Sequence, residues 1–179
     1  MEEAEAIKRL QQGDIKGLEV LVHCYQRQAL RTAFLISRDA ALSEDIVQAA
    51  FLRAYERIHQ FDVSRSFGPW FLRSVANDAL MAVTRHRVLS LDGLLTAGPL
   101  PGPSLAPGPD EAFLSAETRE EIWTALEQLA PVQRAAIVQR YFLDYSDAEL
   151  ARHSTVPGGT IRRRLHDARR RLRQLLPVS

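Results

Sequence analysis

Between Gly93 and Pro109 the chain carries five of its nine prolines and four of its nine glycines. The run Gly98-Pro-Leu-Pro-Gly-Pro-Ser-Leu-Ala-Pro-Gly-Pro109 can form neither helix nor a ladder strand, because proline lacks the amide hydrogen and restricts the residue before it. Residues 90–112 therefore read as an extended, fairly stiff linker. It divides the chain into blocks at 1–89 and 113–179. Each block is near the lower limit for an independent core, so each is expected to gain stability from a partner.

Both blocks read as helix. Asp14 opens one, with Ile15, Leu18, Leu21, Val22, Tyr25, Ala29, Ala33 and Ile36 recurring at three and four residues. Ser43 precedes Glu44 and Asp45, the pattern of an N-cap followed by acids in the first turn. Behind it runs an apolar stripe from Ile46 to Ile58. A loop over His59–Ser66 leads to a helix starting near Phe67, with Pro69 in its first turn and its end near Arg87. In the second block, helices are expected over 114–129 and from Pro131 to about Phe142. Ser146-Asp-Ala-Glu149 is a capping box. Thr155-Val-Pro157 breaks the short helix that follows it. From Gly158, the spacing of Ile161, Leu165, Ala168, Leu172 and Leu175 gives one continuous buried stripe. Alternating strand patterns are absent, so the fold class is all-α with two small helical domains.

The net charge of +1 excludes a uniformly basic protein, yet the charge is unevenly spread. Residues 110–150 hold three basic and nine acidic side chains, whereas 151–179 hold eight arginines against Asp167 alone. Segregation of this kind marks a local polyanion-binding surface. A single cysteine, Cys24, excludes a disulfide scaffold and suits a reducing, cytoplasmic home. The acidic start, Met1-Glu-Glu-Ala-Glu, is not a secretory signal. No apolar run approaches the roughly 18 residues that span a bilayer, so membrane insertion is not expected. His23, His59, His86, His153 and His166 have no metal-ligand spacing, and phosphate-loop and nucleophile-elbow motifs are missing. Neither a cofactor nor a catalytic centre is expected.

Three constellations remain. A short capped helix, a tight break and a longer helix at 146–176 have helix-turn-helix geometry. The longer helix turns Leu and Ile inward and carries Arg162, Arg163, Arg164, Arg169, Arg170, Arg171 and Arg173 elsewhere. Base edges need basic side chains near the start of an inserted helix, and phosphates need them along its length. Gly158 and Gly159 at its start leave backbone amides open to a phosphate. The bland alternative is a solvated arginine-rich helix lying against the acids of 110–150. Second, Arg65, Phe67, Trp70, Arg73, Asn77, Arg85, His86 and Arg87 mix rings with cations along one helix, and such a face can stack unpaired bases. Phe67, Trp70 and Phe71 lie at helical spacing, however, and taken alone they read first as core. Third, Asp45, Gln48 and Arg53 interrupt the stripe of Asp45-Ile-Val-Gln-Ala-Ala-Phe51-Leu-Arg53, which alone is an amphipathic helix.

Taken together, these segments resemble the bacterial extracytoplasmic-function sigma factors. Glu44-Asp45-Ile-Val-Gln48-Ala-Ala-Phe51-Leu-Arg-Ala-Tyr55 is similar to that family's polymerase-binding helix. Phe61-Asp, Ser66-Phe67, Trp70-Phe-Leu-Arg73 and Ala76-Asn77 resemble its −10 segment. Leu129-Ala-Pro131-Val-Gln-Arg134, Tyr141, Ser146 to Ala151 and Val156 to Arg169 resemble its −35 domain. The resemblance covers about residues 15–87 and 114–176. It implies that Asp45, Gln48, Phe51 and Arg53 dock on core RNA polymerase, at the beta-prime clamp helices, with the beta subunit as a further partner. It implies that Asn77 and the loop ahead of Phe67 read an extruded −10 base in promoter DNA, within a surface comprising Arg65, Phe67, Trp70, Arg73, Arg85 and Arg87. Thr160, Arg162 and Arg163 fall where the family reads the −35 major groove, with Gly159, Arg164, Arg169 and Arg170 beside them. An anti-sigma protein is an implied partner.

Five positions depart from the family pattern: Ala49 where an acid is common, Met81 for an Asp, Thr84 for a base, Thr155 for a Gly and Asp167 for an Arg. They imply an altered polymerase contact and a retuned or weakened −35 interaction. Two other readings stand beside the sigma factor. One is a helix-turn-helix regulator of duplex DNA, which would not need the segments Asp45–Arg53 and Phe61–Asn77. The other is a sigma-like decoy that holds polymerase or an anti-sigma protein without reading DNA.

Overall fold

A computed structural model of the chain describes residues 2–91, 116–152 and 156–176. Its elements are α1 (Glu3–Gln11), α2 (Lys16–Ser37), α3 (Ala40–Arg57), a single 3-10 turn (Ile58–Gln60), α4 (Phe67–Leu91), α5 (Ala116–Glu127), α6 (Pro131–Ile137), a π-helical turn (Val138–Phe142), α7 (Asp147–Arg152) and α8 (Gly158–Leu175). No strand occurs among the described residues. The fold is all-α, as the sequence patterns require. The Pro/Gly run Gly98–Pro109 lies outside the described residues, as does Thr155.

Helices α1 to α4 form the first block. The α1 helix is absent from the sequence reading. It buries Ala6, Ile7 and Leu10 against α2 and makes its closest approach at Gly17. A Cβ at Gly17 would stand 2.2 Å from the carbonyl oxygen of Ala6, so a side chain there would push the two helices apart. Helix α2 starts at Lys16, whose amide donates to Asp14 Oδ1 over 3.0 Å.

The start of α3 corrects the reading of Ser43 as its N-cap. Arg38, with φ of 62°, ends α2 in the left-handed region, and Asp39 is extended. The Asp39 carboxylate then accepts from the Leu42 amide at 2.9 Å, so the helix begins one turn early. Ser43 is buried inside that turn, and its hydroxyl donates to Asp39 O over 2.5 Å.

The core of this block is aromatic. Phe67 and Phe71 are fully buried, and their rings stack at 5.4 Å. Phe51 lies 4.4 Å from Phe71, and Tyr25 and Phe61 close on Phe67 at 5.5 and 5.6 Å. Pairs of this kind add about 0.5–1.5 kcal/mol each beyond their burial.

In the second block, Pro131 opens α6, and the Ala130 amide donates to Gln133 Oε1. The expected single helix from Pro131 to Phe142 instead changes to π geometry at Val138. The capping box forms as read: Ser146 N and Oγ donate to Glu149 Oε2, and Glu149 N donates to Ser146 Oγ. Helix α8 buries Ile161, Leu165 and Ala168. Gly158 lets α7 approach, since a Cβ there would meet the Ala151 methyl at 3.1 Å.

The two blocks pack on each other, with α2 and α4 against α6. Each therefore finds in the other the support that its small core lacks.

Candidate nucleic-acid and polymerase interfaces

Helix α8 sorts its side chains by face. Ile161, Leu165 and Ala168 point into the second block, while Arg162, Arg163, Arg170, Arg171 and Arg173 are exposed. Gly159 is exposed and Thr160 half-buried, so the first turn is open to an incoming surface. Arg169 is partly withdrawn: its Nε donates to Tyr141 Oη at 2.8 Å. Arg164 is half-buried and lines a cavity of about 50 Å³ between the blocks, together with Arg73, Asn77 and Gln139. Asp167 sits 3.8 Å from the exposed Arg163, so the acid falls on the same surface as the bases.

The expected strand-reading surface divides differently. Phe67 is a correction, because its ring is wholly inside the aromatic core and has no face to offer a base. Trp70 is half-buried against Phe61 and Phe67, with ring centroids at 5.1 and 5.4 Å. Arg65 is exposed beside Asp62 at 3.3 Å, and Arg85 is exposed. The side chain of Arg87 lies outside the described residues.

Asn77 and Arg73 meet the second block. Gln139 Nε2 donates to Asn77 Oδ1 over 3.4 Å. The Arg73 guanidinium lies 4.9 Å from the Tyr145 ring centroid, and the Tyr145 hydroxyl donates to the carbonyl of Pro69. Burial pushes the Tyr145 phenol up, opposed by Arg73. The phenol thus stays protonated as a donor.

On α3, Asp45 and Gln48 are exposed on one outer face. Phe51 is a second correction: it is 7% exposed and supports that face from within the core. Arg53 is tied to Asp78 of α4 by an ion pair. Burial pushes the Asp78 carboxyl up, and Arg53 pulls it back. Leu52 extends the Asp45–Gln48 face and is 61% exposed. The sequence signal for it was available, since Leu52 falls off the apolar stripe at four residues from Gln48. The interblock partners Gln139 and Tyr145 had no such signal.

Further contacts close the blocks at another point. Arg38 lies 4.9 Å from the ring centroids of both Phe34 and Trp123, and it pairs with Glu127 of α5. The Phe34 and Trp123 rings are 5.5 Å apart.

Comparison with known proteins places the chain in a family. Residues 21–88 match Sigma-70 region 2, and residues 119–172 match Sigma-70 region 4. The ECF RNA polymerase sigma-E factor of Escherichia coli (strain K12) is 32% identical over 171 residues, covering 91% of this chain and 88% of that protein. The chain belongs to the extracytoplasmic-function sigma factors. This family consists of non-enzymatic transcription initiation factors. The ECF RNA polymerase sigma factor SigW of Bacillus subtilis (strain 168) is 26% identical over 178 residues, covering 95% and 94% of the two chains.

Two solved structures share the fold of this sigma factor. One is the sigma factor RpoE in complex with the anti-sigma factor NepR from Bartonella quintana. It is 23% identical, with a TM-score of 0.67 over 92% of this chain and 99% of that one. The other is CnrH in complex with the cytosolic domain of CnrY. It is 19% identical, with a TM-score of 0.63 over 97% and 96%. No helix among the described residues of this sigma factor is long and apolar enough to cross a membrane.

Proposed function

We propose that this sigma factor joins core RNA polymerase through the outer face of α3, reads the −35 duplex with the first turns of α8, and reads the melted −10 strand with α4 and the loop before it. The work divides between 1–89 and 113–179, with 90–112 as the tether. Asp45, Gln48 and the neighbouring Leu52 form the polymerase face. Thr160, Arg162 and Arg163 face the bases of the major groove, and Arg170 faces phosphate. The observation that carries this reading is the sorting of α8: Ile161, Leu165 and Ala168 are buried, five of its seven arginines are exposed, and a capped α7 precedes it. An exposed basic helix on a helix-turn-helix scaffold is built to enter a groove.

The interblock contacts bear on the same reading. Gln139 and Tyr145 contact Asn77 and Arg73 across the blocks, with Asn77 still exposed and Arg73 half-buried, so it is Arg73 that gains freedom when the blocks part. An anti-sigma protein is the expected regulator, since a solved sigma factor of the same fold is held by one.

Reconstitution with core polymerase tests the proposal. Run-off transcription is expected from a restricted set of promoters. DNA binding without transcription would instead indicate a duplex-binding regulator, and polymerase binding alone a decoy. An Asn77→Ala variant sharpens the test, because an amide can read a base edge through both donor and acceptor. The variant should keep polymerase and −35 duplex binding and lose permanganate reactivity at −10 on a closed promoter. A pre-melted bubble should restore only part of the lost transcription, because the base contact is still missing. Unchanged opening removes the −10 assignment.

A further inference from the structure

Helix α1 lies ahead of the stretch that matches region 2. Its contacts converge on the segment between α3 and α4. The Gln11 side-chain amide donates to the carbonyls of Ile58 and Phe61, at 3.0 and 3.2 Å. These two carbonyls bracket the 3-10 turn where the strand-reading loop begins. At the other end of the loop, the Phe67 amide, first in α4, donates to Glu3 Oε1 at 3.4 Å. The other oxygen of Glu3 accepts from the Tyr25 hydroxyl, and the Tyr25 ring packs on Phe67. Burial pushes the Tyr25 phenol up, and Glu3 adds to this, so the hydroxyl remains a donor.

Between these attachments the loop has little hold of its own. His59, Gln60 and residues 62–66 are exposed, and Phe61 alone among residues 59–66 is buried. Within the loop, Asp62 accepts from the amide and hydroxyl of Ser64, at 3.0 and 2.7 Å, and the Arg65 amide donates to Asp62 O. These bonds shape the tip but do not fix it to the body. A recognition loop held loosely binds all strands alike, because an aligned contact with one base needs its donors placed to within a fraction of an ångström.

We infer that Gln11 and Glu3 are positioning residues for −10 base selection: α1 staples both ends of the 58–67 segment and so sets the geometry in which the loop meets the strand. The inference rests on the −10 reading above.

The experiment uses holoenzyme assembled from the full chain and core polymerase. The probe is a forked promoter whose −10 strand is unpaired, made from a promoter found by run-off and carrying each of the four bases at the selected position. The readout is the ratio of affinities for the preferred and the disfavoured bases. Gln11→Met keeps the side chain's length and removes both hydrogen bonds. The ratio should fall about three- to tenfold, the equivalent of one or two neutral hydrogen bonds. Affinity for core polymerase and for −35 duplex should not change. Glu3→Ala should act in the same direction from the other end, whereas Glu3→Gln retains acceptor oxygen and should retain the ratio.

An unchanged ratio in both folded variants overturns the inference. So does an equal loss at all four bases, which marks a merely structural helix. If Gln11→Met does not fold, Glu3→Ala alone decides. Asn77→Ala in the same assay separates the two readings. If it too leaves the ratio unchanged, the −10 assignment has failed. If it lowers the ratio and the α1 variants do not, the staple alone has failed.

Discussion

Arg134 carries its charge into the inner face of α6, where it is 6% exposed and its Nε has no hydrogen-bond partner among the described residues. Burial pushes its pKa down to about 10, the nearby Arg38 adds to this, and Glu127 opposes it. Between that value and the ordinary arginine range, the unfolded chain holds a proton that the folded chain has released. Stability linked to this group therefore rises with pH across that window, and at neutral pH the cost of burying the charge stands in full. Replacing such a group with an apolar one of similar length is often stabilising. Arg134→Met should raise stability by about 1 kcal/mol or more, read as a higher midpoint in a thermal melt at pH 7. A lower midpoint would show that the charge is a net support. Arg53 poses the converse case. Its pairing with Asp78 links α3 to α4, so Arg53→Ala is expected to loosen that packing as well as any polymerase contact. The comparison that separates these effects is with Gln48→Ala, whose side chain faces solvent. Equal losses of polymerase affinity at unchanged melting would show that Arg53 acts only at the interface.

At the scale of single elements, α8 allows a quantitative separation of its two kinds of contact. Neutralising Arg170 and Arg171 should weaken binding to every duplex alike, and each lost phosphate contact should reduce the salt slope by about 0.9. Arg162→Ala or Arg163→Ala should instead relax base preference at a cost of about 1–3 kcal/mol. Binding isotherms on cognate and scrambled duplexes across a salt series check both. Helix α7 responds to acid. The hydroxyl and amide of Ser146 hold the Glu149 carboxyl below its ordinary range. Its support for the helix is complete above that range and is lost as pH falls through the native value. Protection of the α7 amides, measured against the intrinsic exchange rate, should fall on acidification more than that of the α3 amides, and Ser146→Ala should abolish the difference. Helix α8 and the α7 cap were legible in the sequence because period and capping chemistry are local. The start of α3 was not, because Asp39 and Ser43 are both good caps, and the left-handed turn at Arg38 decided between them. Helix α1 escaped because Ala6, Ile7 and Leu10 give it only a short stripe on an acidic background. Periodicity put Phe51 and Phe67 on apolar faces, and the resemblance put them in the binding surfaces; only the packing of several helices shows that both rings are inside.

For the whole molecule, the patterns gave two helical units on either side of a Pro/Gly run, but not their embrace. Contacts between Arg38 and Trp123, or between Gln139 and Asn77, join residues more than 60 positions apart, and no local signal announces them. Arg38→Ala combined with Trp123→Ala removes the ion pair to Glu127 and the stacked cation. The blocks should then move apart with their helices intact. Small-angle scattering should report a larger radius of gyration at unchanged circular dichroism, and an unchanged radius would mean that the α4–α6 contacts suffice alone. The closed arrangement treats the two proposed DNA-reading surfaces unequally. Five arginines of α8 and Asn77 are exposed, whereas the Arg73 guanidinium is half-buried over the Tyr145 ring. On the proposed reading, the closed chain can already slide along duplex DNA through charge alone. Arg73 adds its charge to the strand only when the blocks part, so the grip on single strand is strengthened by the same motion that opens the molecule.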